Sequence, residues 1–236
     1  METIEQTIPE ETIEVVARSF FKETFRYGFN QTDYVKFINL LLDLTMKNGG
    51  SNGKTAPTPM NYDVTEKPVL PLIGENIRIQ SYRDDADKSL LKKWALERSG
   101  KMFLISWITA RSSSIDELVG RPNNYIGMIA LPDQTPIGIV AFLDYDRTQH
   151  KAELRKLIGV PEYRGKGYAK EATRLWIRYG ISTLGLRKIY LNTLDNNIRN
   201  VKLNEDLGFK VEGILRNECY LDGEYQDILR MGLICD

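Results

Sequence analysis

Two short stretches of the chain carry residue types that can do chemistry. The first is R-G-K-G-Y-A, Arg164 to Ala169, placed after a strand-like segment that ends at Val160. It opens a helix whose packing face is Ala172, Leu175, Trp176 and Tyr179. Gly165 and Gly167 let the backbone turn tightly and approach a ligand closely. Free N–H groups at the helix start, reinforced by Arg164 and Lys166, would make a compact anion site suited to a pyrophosphate. The second stretch is N-N-I-R-N-V-K-L-N-E-D-L-G-F, Asn196 to Phe209, a helical pattern closed by glycine. Asn197, Asn200 and Asn204 fall at i, i+3 and i+7 on one face, while Arg199, Lys202, Glu205 and Asp206 take the opposite side. A stripe of amides turned inward needs something polar to face.

Other chemistries fit poorly. A P-loop requires G-x-x-x-x-G-K-[ST], which R-G-K-G-Y-A-K-E-A does not supply. A dinucleotide fingerprint requires a small residue where Lys170 stands and an acid at the end of the next strand, where the chain has Asn192. The plain alternative for the loop is a tight turn with solvated basic residues. His150 is the only histidine, so neither a zinc site nor a histidine-activated nucleophile is expected, and no metal site is assigned. Cys219 and Cys235 are expected to be reduced core thiols.

The elements that must hold these residues follow from periodicity. From Glu10 to about Tyr27, and again from Thr32, apolar residues recur at helical spacing, predicting a helical hairpin with Thr32 as the cap of its second helix. Lys47 to Pro68 has the glycine, serine, asparagine and proline content of a linker. The expected organisation is therefore a hairpin and linker over residues 1–70 and a catalytic-type domain over 71–236. In the latter, N-I-R-I-Q-S-Y reads as a strand and D-A-D-K-S-L-L-K-K-W-A-L-E-R-S as a helix, with a less regular helical stretch after it. Then come the strands Y-I-G-M-I-A-L, P-I-G-I-V-A-F-L-D-Y-D and K-A-E-L-R-K-L-I-G-V, a helix from Gly167, the strand K-I-Y-L-N-T-L, the asparagine helix, and two last strands around Asp222-Gly223. Strands that first meander and later alternate with helices predict a mixed α/β sheet with helices on each side.

Thirty-two basic residues balance thirty-two acidic ones, so net charge favours neither nucleic acid nor anionic membrane as a partner. The start, M-E-T-I-E-Q-T-I-P-E-E, is acidic and lacks a signal-peptide pattern, and no apolar run approaches a membrane span. A cytoplasmic location is the expectation.

The loop R-G-K-G-Y-A resembles the coenzyme A pyrophosphate loop of the GNAT acetyltransferase superfamily, [RQ]-x-x-G-x-[GA]. Downstream, N-x-x-N-V-x-L-N-E-D-L-G-F-K-V-E-G-I-L-R followed by D-G-E-Y-Q-D-I-L-R-M is similar to the branch holding ribosomal-protein N-terminal, spermidine and amino-sugar acetyltransferases. The resemblance runs from about Asn76 to the C-terminus and is most specific in the last eighty or so residues. It implies a mostly antiparallel sheet whose central parallel strands, here A-E-L-R-K-L-I-G-V and K-I-Y-L-N-T-L, splay apart around pantetheine. It implies, further, that backbone at Leu157, Ile158, Gly159 and Val160 holds pantetheine, that Arg164, Gly165, Lys166, Gly167, Tyr168 and Ala169 hold the pyrophosphate, and that Asn197 and Asn200 face the cofactor. Acetyl-CoA would be the acyl donor.

Forming an amide from a thioester needs a neutral amine, a stabilised oxyanion and a leaving thiolate. An alkyl ammonium, with a pKa of about 10.4, must lose a proton. Glu153 is the candidate base or water-orienting group, with pairing to Arg155 as its structural alternative. Many relatives place a tyrosine four residues before the glycine of L-G-F. Here Asn204 stands there and cannot transfer a proton as tyrosine does, though it can donate a hydrogen bond.

By position, Asp144, Asp146, Asp222, Glu224 and Asp227 are candidates to attract an amine, and Arg216 and Tyr220 to line the same region. The expected function is acetyl-CoA-dependent N-acetylation of a primary amine on a small molecule such as a polyamine or amino sugar. The alternatives are acetylation of a protein N-terminus and a non-catalytic CoA-binding module. The hairpin could pack on its own domain, recruit a partner, or pair with a second copy to make a homodimer.

Overall fold

The computed structural model of the chain describes residues 10–48, 62, 67–97, 114–194, 198–221 and 223–235. The chain divides into two compact units, Met1–Ala56 and Pro57–Asp236. In the first unit, α1 (Glu10–Arg26) and α2 (Gln31–Asn48) form the hairpin. The rings of Phe20 and Phe37 stack 4.3 Å apart between them, and Tyr34 Oη shares a 2.9 Å hydrogen bond with Thr24 Oγ1. The cap of α2 is Asn30 and not Thr32. Asn30 Oδ1 accepts from the N–H of Thr32 at 2.9 Å and of Asp33 at 3.3 Å, while Asp33 Oδ2 accepts from Asn30 N at 3.0 Å. This reciprocal box satisfies three helix-start donors at once, which a cap two residues later would not do.

The second unit includes the end of the predicted linker. Tyr62 Oη donates to Leu207 O at 3.0 Å and Thr183 Oγ1 donates to Pro68 O at 2.8 Å, strapping that segment to the domain. An eight-stranded sheet follows: β1 (Leu72–Ile73), β2 (Arg78–Ser81), β3 (Tyr125–Ala130), β4 (Pro136–Asp146), β5 (Lys151–Ile158), β6 (Lys188–Leu194), β7 (Lys210–Leu221) and β8 (Glu224–Ile234), in the order β1-β2-β3-β4-β5-β6-β8-β7. Every neighbouring pair is antiparallel except β5 and β6. The mixed, mostly antiparallel sheet expected from the sequence is thus the one observed.

Helices cover both faces: α3 (Asp84–Leu96) and α4 (Ile115–Gly120) on one, α5 (Tyr168–Ser182) and α6 (Ile198–Glu205) on the other. The apolar run I-G-I-V-A-F-L of β4 reflects this double cover. Ile139, Ala141 and Leu143 pack with Leu91, Trp94 and Leu118, whereas Val140 and Phe142 pack with Trp176 and Ile177. The Trp176 ring stacks on Phe142 at 5.5 Å and on Tyr179 at 4.9 Å. This helix sets where the R-G-K-G-Y-A loop meets the sheet. Cys219 and Cys235 are buried, reduced thiols.

Trp176→Ala empties the centre of that contact and is expected to cost about 3–5 kcal/mol, read as a lower urea midpoint with an unchanged m-value.

Candidate active site

Strands β5 and β6 pair at Lys151↔Lys188, Ala152↔Ile189 and Glu153↔Tyr190, and no further. Beyond Glu153 the strands part, and among the described residues the edge of β5 that faces β6 has no strand partner. At the far end of β5, Gly159 N and Val160 N donate to Ile137 O at 2.9 and 3.2 Å. Gly159 lies flat against the Trp94 ring, where a Cβ would come within 2.1 Å of the indole. The chain then makes a 3-10 turn at Pro161–Tyr163 and enters the glycine loop.

Gly165 and Gly167 take φ of +78° and +87°. A Cβ at either would meet nothing within 4 Å, so the left-handed backbone and not crowding calls for glycine. Gly167 is the N-cap of α5. Among the described residues, no protein acceptor takes up the N–H groups of 165 to 169, whereas those of Lys170 and Glu171 already donate to Gly167 O. Five amides in a row at a helix start form an anion cradle.

Arg164 departs from expectation. Its Nε donates to Ile158 O at 2.9 Å and its Nη2 donates to Gly159 O at 2.8 Å and to the Glu97 carboxylate at 2.7 Å. The guanidinium staples the end of β5, whose carbonyls would otherwise lack donors, so cationic reinforcement of the cradle falls to Lys166. The Lys166 ammonium rests 5.3 Å from the Tyr163 ring centroid.

The alternation of side chains along the two parted strands builds a different polar cluster on each face. On the α3 side, Glu153 is 3% exposed; Arg155 Nη2 reaches its carboxylate at 2.7 Å and Asn192 Nδ2 at 3.0 Å. Arg155 Nη1 also crosses the gap to Asn192 O at 2.8 Å, and Arg230 Nε donates to Asn192 Oδ1 at 3.1 Å. Arg230 lies over the Tyr190 ring at 5.0 Å. Burial pulls the Arg155 guanidinium below its ordinary value, against the field of Glu153. Burial, then the Glu153 charge, push the Tyr190 phenol up to about 12, with Asp144 adding to the rise.

On the α5/α6 side, the asparagine stripe spans the gap. Asn200 Nδ2 donates to Thr193 Oγ1 on β6 at 3.1 Å, and Asn204, fully buried, accepts from Lys156 Nζ on β5 at 2.5 Å. Asn197 lies outside the described residues. Desolvation, reinforced by the Arg155 charge, brings the Lys156 ammonium down to about 7.

The acidic candidates separate. Asp144, near the start of β5, is close enough for its charge to bear on Tyr190, and it is also 3.6 Å from Arg121 Nη1. Asp146 caps a turn by accepting from Thr148 N and Gln149 N. Arg216 and Tyr220 stand on the outer part of the β7–β8 hairpin, beyond the Leu194↔Ile228 and Leu215↔Ile228 rungs and at the opposite end of the sheet from Asp144. Tyr220 is 59% exposed and meets Tyr225 edge to face, while Asp227 accepts from Asn217 N at 2.8 Å. Asp222 lies outside the described residues. Sequence reasoning passed over Lys156, Asn192, Tyr190 and Arg230. The available signal was the charged group Glu153, Arg155 and Lys156 interleaved with Ala152, Leu154, Leu157 and Ile158 along one strand.

Residues 77–210 match the acetyltransferase (GNAT) domain family. The chain belongs to this family. It is 35% identical over 99 residues to spermidine N(1)-acetyltransferase of Escherichia coli (strain K12), covering 42% of this chain and 53% of that protein, so the match spans about half the relative's length. Against the Vibrio cholerae enzyme of the same name the figures are 31% over 135 residues, 54% and 78%. The crystal structure of spermidine N-acetyltransferase from Vibrio cholerae in complex with CoA and spermine shares the fold, with a TM-score of 0.57 at 24% identity over 67% of this chain and 95% of that one. In the GNAT frame, the five unengaged amides fit the diphosphate of a coenzyme A and the opening between β5 and β6 fits its arm.

Two expectations follow. Glu153→Gln strips the counter-charge from buried Arg155 and should cost about 3 kcal/mol in denaturant unfolding. Because Lys156 has a folded pKa below its unfolded one, its charge costs stability in full below about pH 7, and the cost fades as pH rises toward about 10.4, where the unfolded state also releases the proton. Lys156→Met should therefore raise Tm by roughly 5 °C at pH 7, with the gain shrinking toward pH 10 in a thermal-melt series.

Proposed function

We propose that the chain is an acetyl-CoA-dependent N-acetyltransferase acting on the primary amine of a small molecule, by direct attack of the amine on the thioester. The observation that carries this reading is the alignment of the free amides of residues 165–169 with the opening of the sheet beyond Glu153↔Tyr190. A diphosphate on the cradle sends the attached arm between the strands. Main-chain N–H groups exposed on the parted edge of β5 are suited to polarise the thioester carbonyl.

The acceptor enters on the Glu153 face. There Glu153 takes the amine's proton through a water or orients that water, held in register by Arg155 and Asn192, and Asp144 adds negative charge near Tyr190. Arg216 and Tyr220 border the approach and not the reacting end. Relatives named for spermidine acetylation support a polyamine as the acceptor class. A dodecameric structure of the Vibrio enzyme supports self-association here too, for which the exposed Phe21, Phe25, Ile38 and Leu41 of the hairpin offer an apolar surface. Light scattering coupled to gel filtration checks this, and a monomer at all concentrations would refute it.

Thiol release from acetyl-CoA, measured across polyamines, amino sugars, amino acids and N-terminal peptides, tests the main reading. Turnover should be highest on a polyamine. Turnover on peptides alone would instead make the chain a protein N-terminal acetyltransferase, and tight CoA binding without turnover would make it a binding module. Gly167→Ala, which strains the left-handed cap, should weaken acetyl-CoA binding about tenfold in calorimetry while leaving acetyl-pantetheine, which lacks the diphosphate, unaffected.

A further inference from the structure

Asn204 is the α6 side chain that reaches β5, and the group it meets is an amine. Lys156 stands three residues beyond Glu153, the last residue of β5 paired with β6, and four residues before Val160, where the strand gives way to the cradle. A strand covers those four residues in about 13 Å, an interval suited to the arm of a coenzyme A whose diphosphate rests on residues 165–169. The deep end of the gap, where such an arm stops, therefore presents the Lys156 ammonium. A lysine that served only solubility would carry its charge out to water. This one turns inward to a buried amide oxygen, with Met231 Sδ 4.0 Å from the other end of the same amide. Arg155, on its own strand, is the charged side chain whose field reaches it, and it is of like sign. Neither Asn204 of α6 nor Met231 of β8 supplies a counter-charge.

We infer that Lys156 is the proton donor to the sulfur that departs during acyl transfer, with Asn204 holding its ammonium in place. The inference rests on the acetyltransferase reading above. The amine nitrogen forms the C–N bond, the C–S bond breaks with its electron pair on sulfur, and Lys156 passes a proton to that sulfur. The proton shed by nitrogen leaves through Glu153 or water, and solvent restores the ammonium, so amine and thioester become amide and thiol. Desolvation suits Lys156 to the task. With a pKa of about 7 it gives its proton downhill to a thiolate whose acid has a pKa of about 8.5, whereas an ordinary lysine near 10.4 would keep it. Asn204, which has no transferable proton, positions the donor.

The test compares wild type with Lys156→Met and Lys156→Gln. Calorimetry first measures CoA and acetyl-CoA binding; no binding by the folded wild type overturns the acetyltransferase reading together with this one. Ultraviolet titration of the thiolate in bound CoA should show a fraction of it forming at lower pH in wild type than in either variant, as a coupled Lys–thiol pair requires. With a polyamine acceptor, kcat should fall about 100-fold in both variants while KM for acetyl-CoA stays within twofold. Asn204→Tyr in the Lys156→Met background should recover part of kcat by offering an O–H donor. Retained CoA binding with an unchanged thiolate titration and an unchanged kcat would overturn the role of Lys156 alone.

Discussion

Two parallel strands that share only three rungs and then separate set the terms for the rest of the second unit. Parting a sheet exposes main-chain edges in its interior, and buried backbone groups without partners are costly. The chain answers with side chains. Arg155 donates across the gap to Asn192 O, and Arg164 donates to the carbonyls of Ile158 and Gly159. Thr193 and Lys156, one from each strand, are caught by amides of α6. The polar residues around the opening are thus first of all what allows an opening to exist, and the same groups line the place where a ligand's arm would lie.

The period of two along a strand then divides the chemistry. Glu153 and Arg155 face the α3 side together with Tyr190, Asn192 and Arg230, where one carboxylate meets two guanidiniums in a tight network. Lys156 and Thr193 face α6, where the partners are neutral amides. One strand therefore carries a charged pair on one face and a desolvated amine on the other, separated by the strand itself. No Glu153–Lys156 contact joins the two clusters among the described residues, and Arg155 touches Lys156 only through its field.

Much of this was legible along the chain because it depends on local rules. The strand β4, the strand β6 and the start of α5 fall where apolar runs and the glycine pair put them. The inward amide stripe follows from helical spacing alone. Other residues depend on which neighbouring or distant group claims them. Asn30 displaced Thr32 as a cap because Asp33 completes a reciprocal box, a matter of a single turn. Beside the glycines, the Arg164 guanidinium donates to strand-end carbonyls and to Glu97. The acids grouped by position are scattered by topology, since β8 inserts between β6 and β7 and carries the outer hairpin to the end of the sheet away from Asp144.

What the amino-acid order determined by itself was the left-handed glycine turn into α5, the alternation of strands and helices, and the shared face of Asn200 and Asn204. Glycine's access to left-handed backbone and the two periodicities need no distant partner. What only the tertiary structure decided was which groups meet across the parted strands: that Arg155 claims Glu153, that Asn200 and Asn204 reach different strands, and that Lys156 ends beside a buried amide with its charge held down by desolvation. Burial and hydrogen-bond partnership depend on packing between segments dozens of residues apart, and no local pattern encodes them.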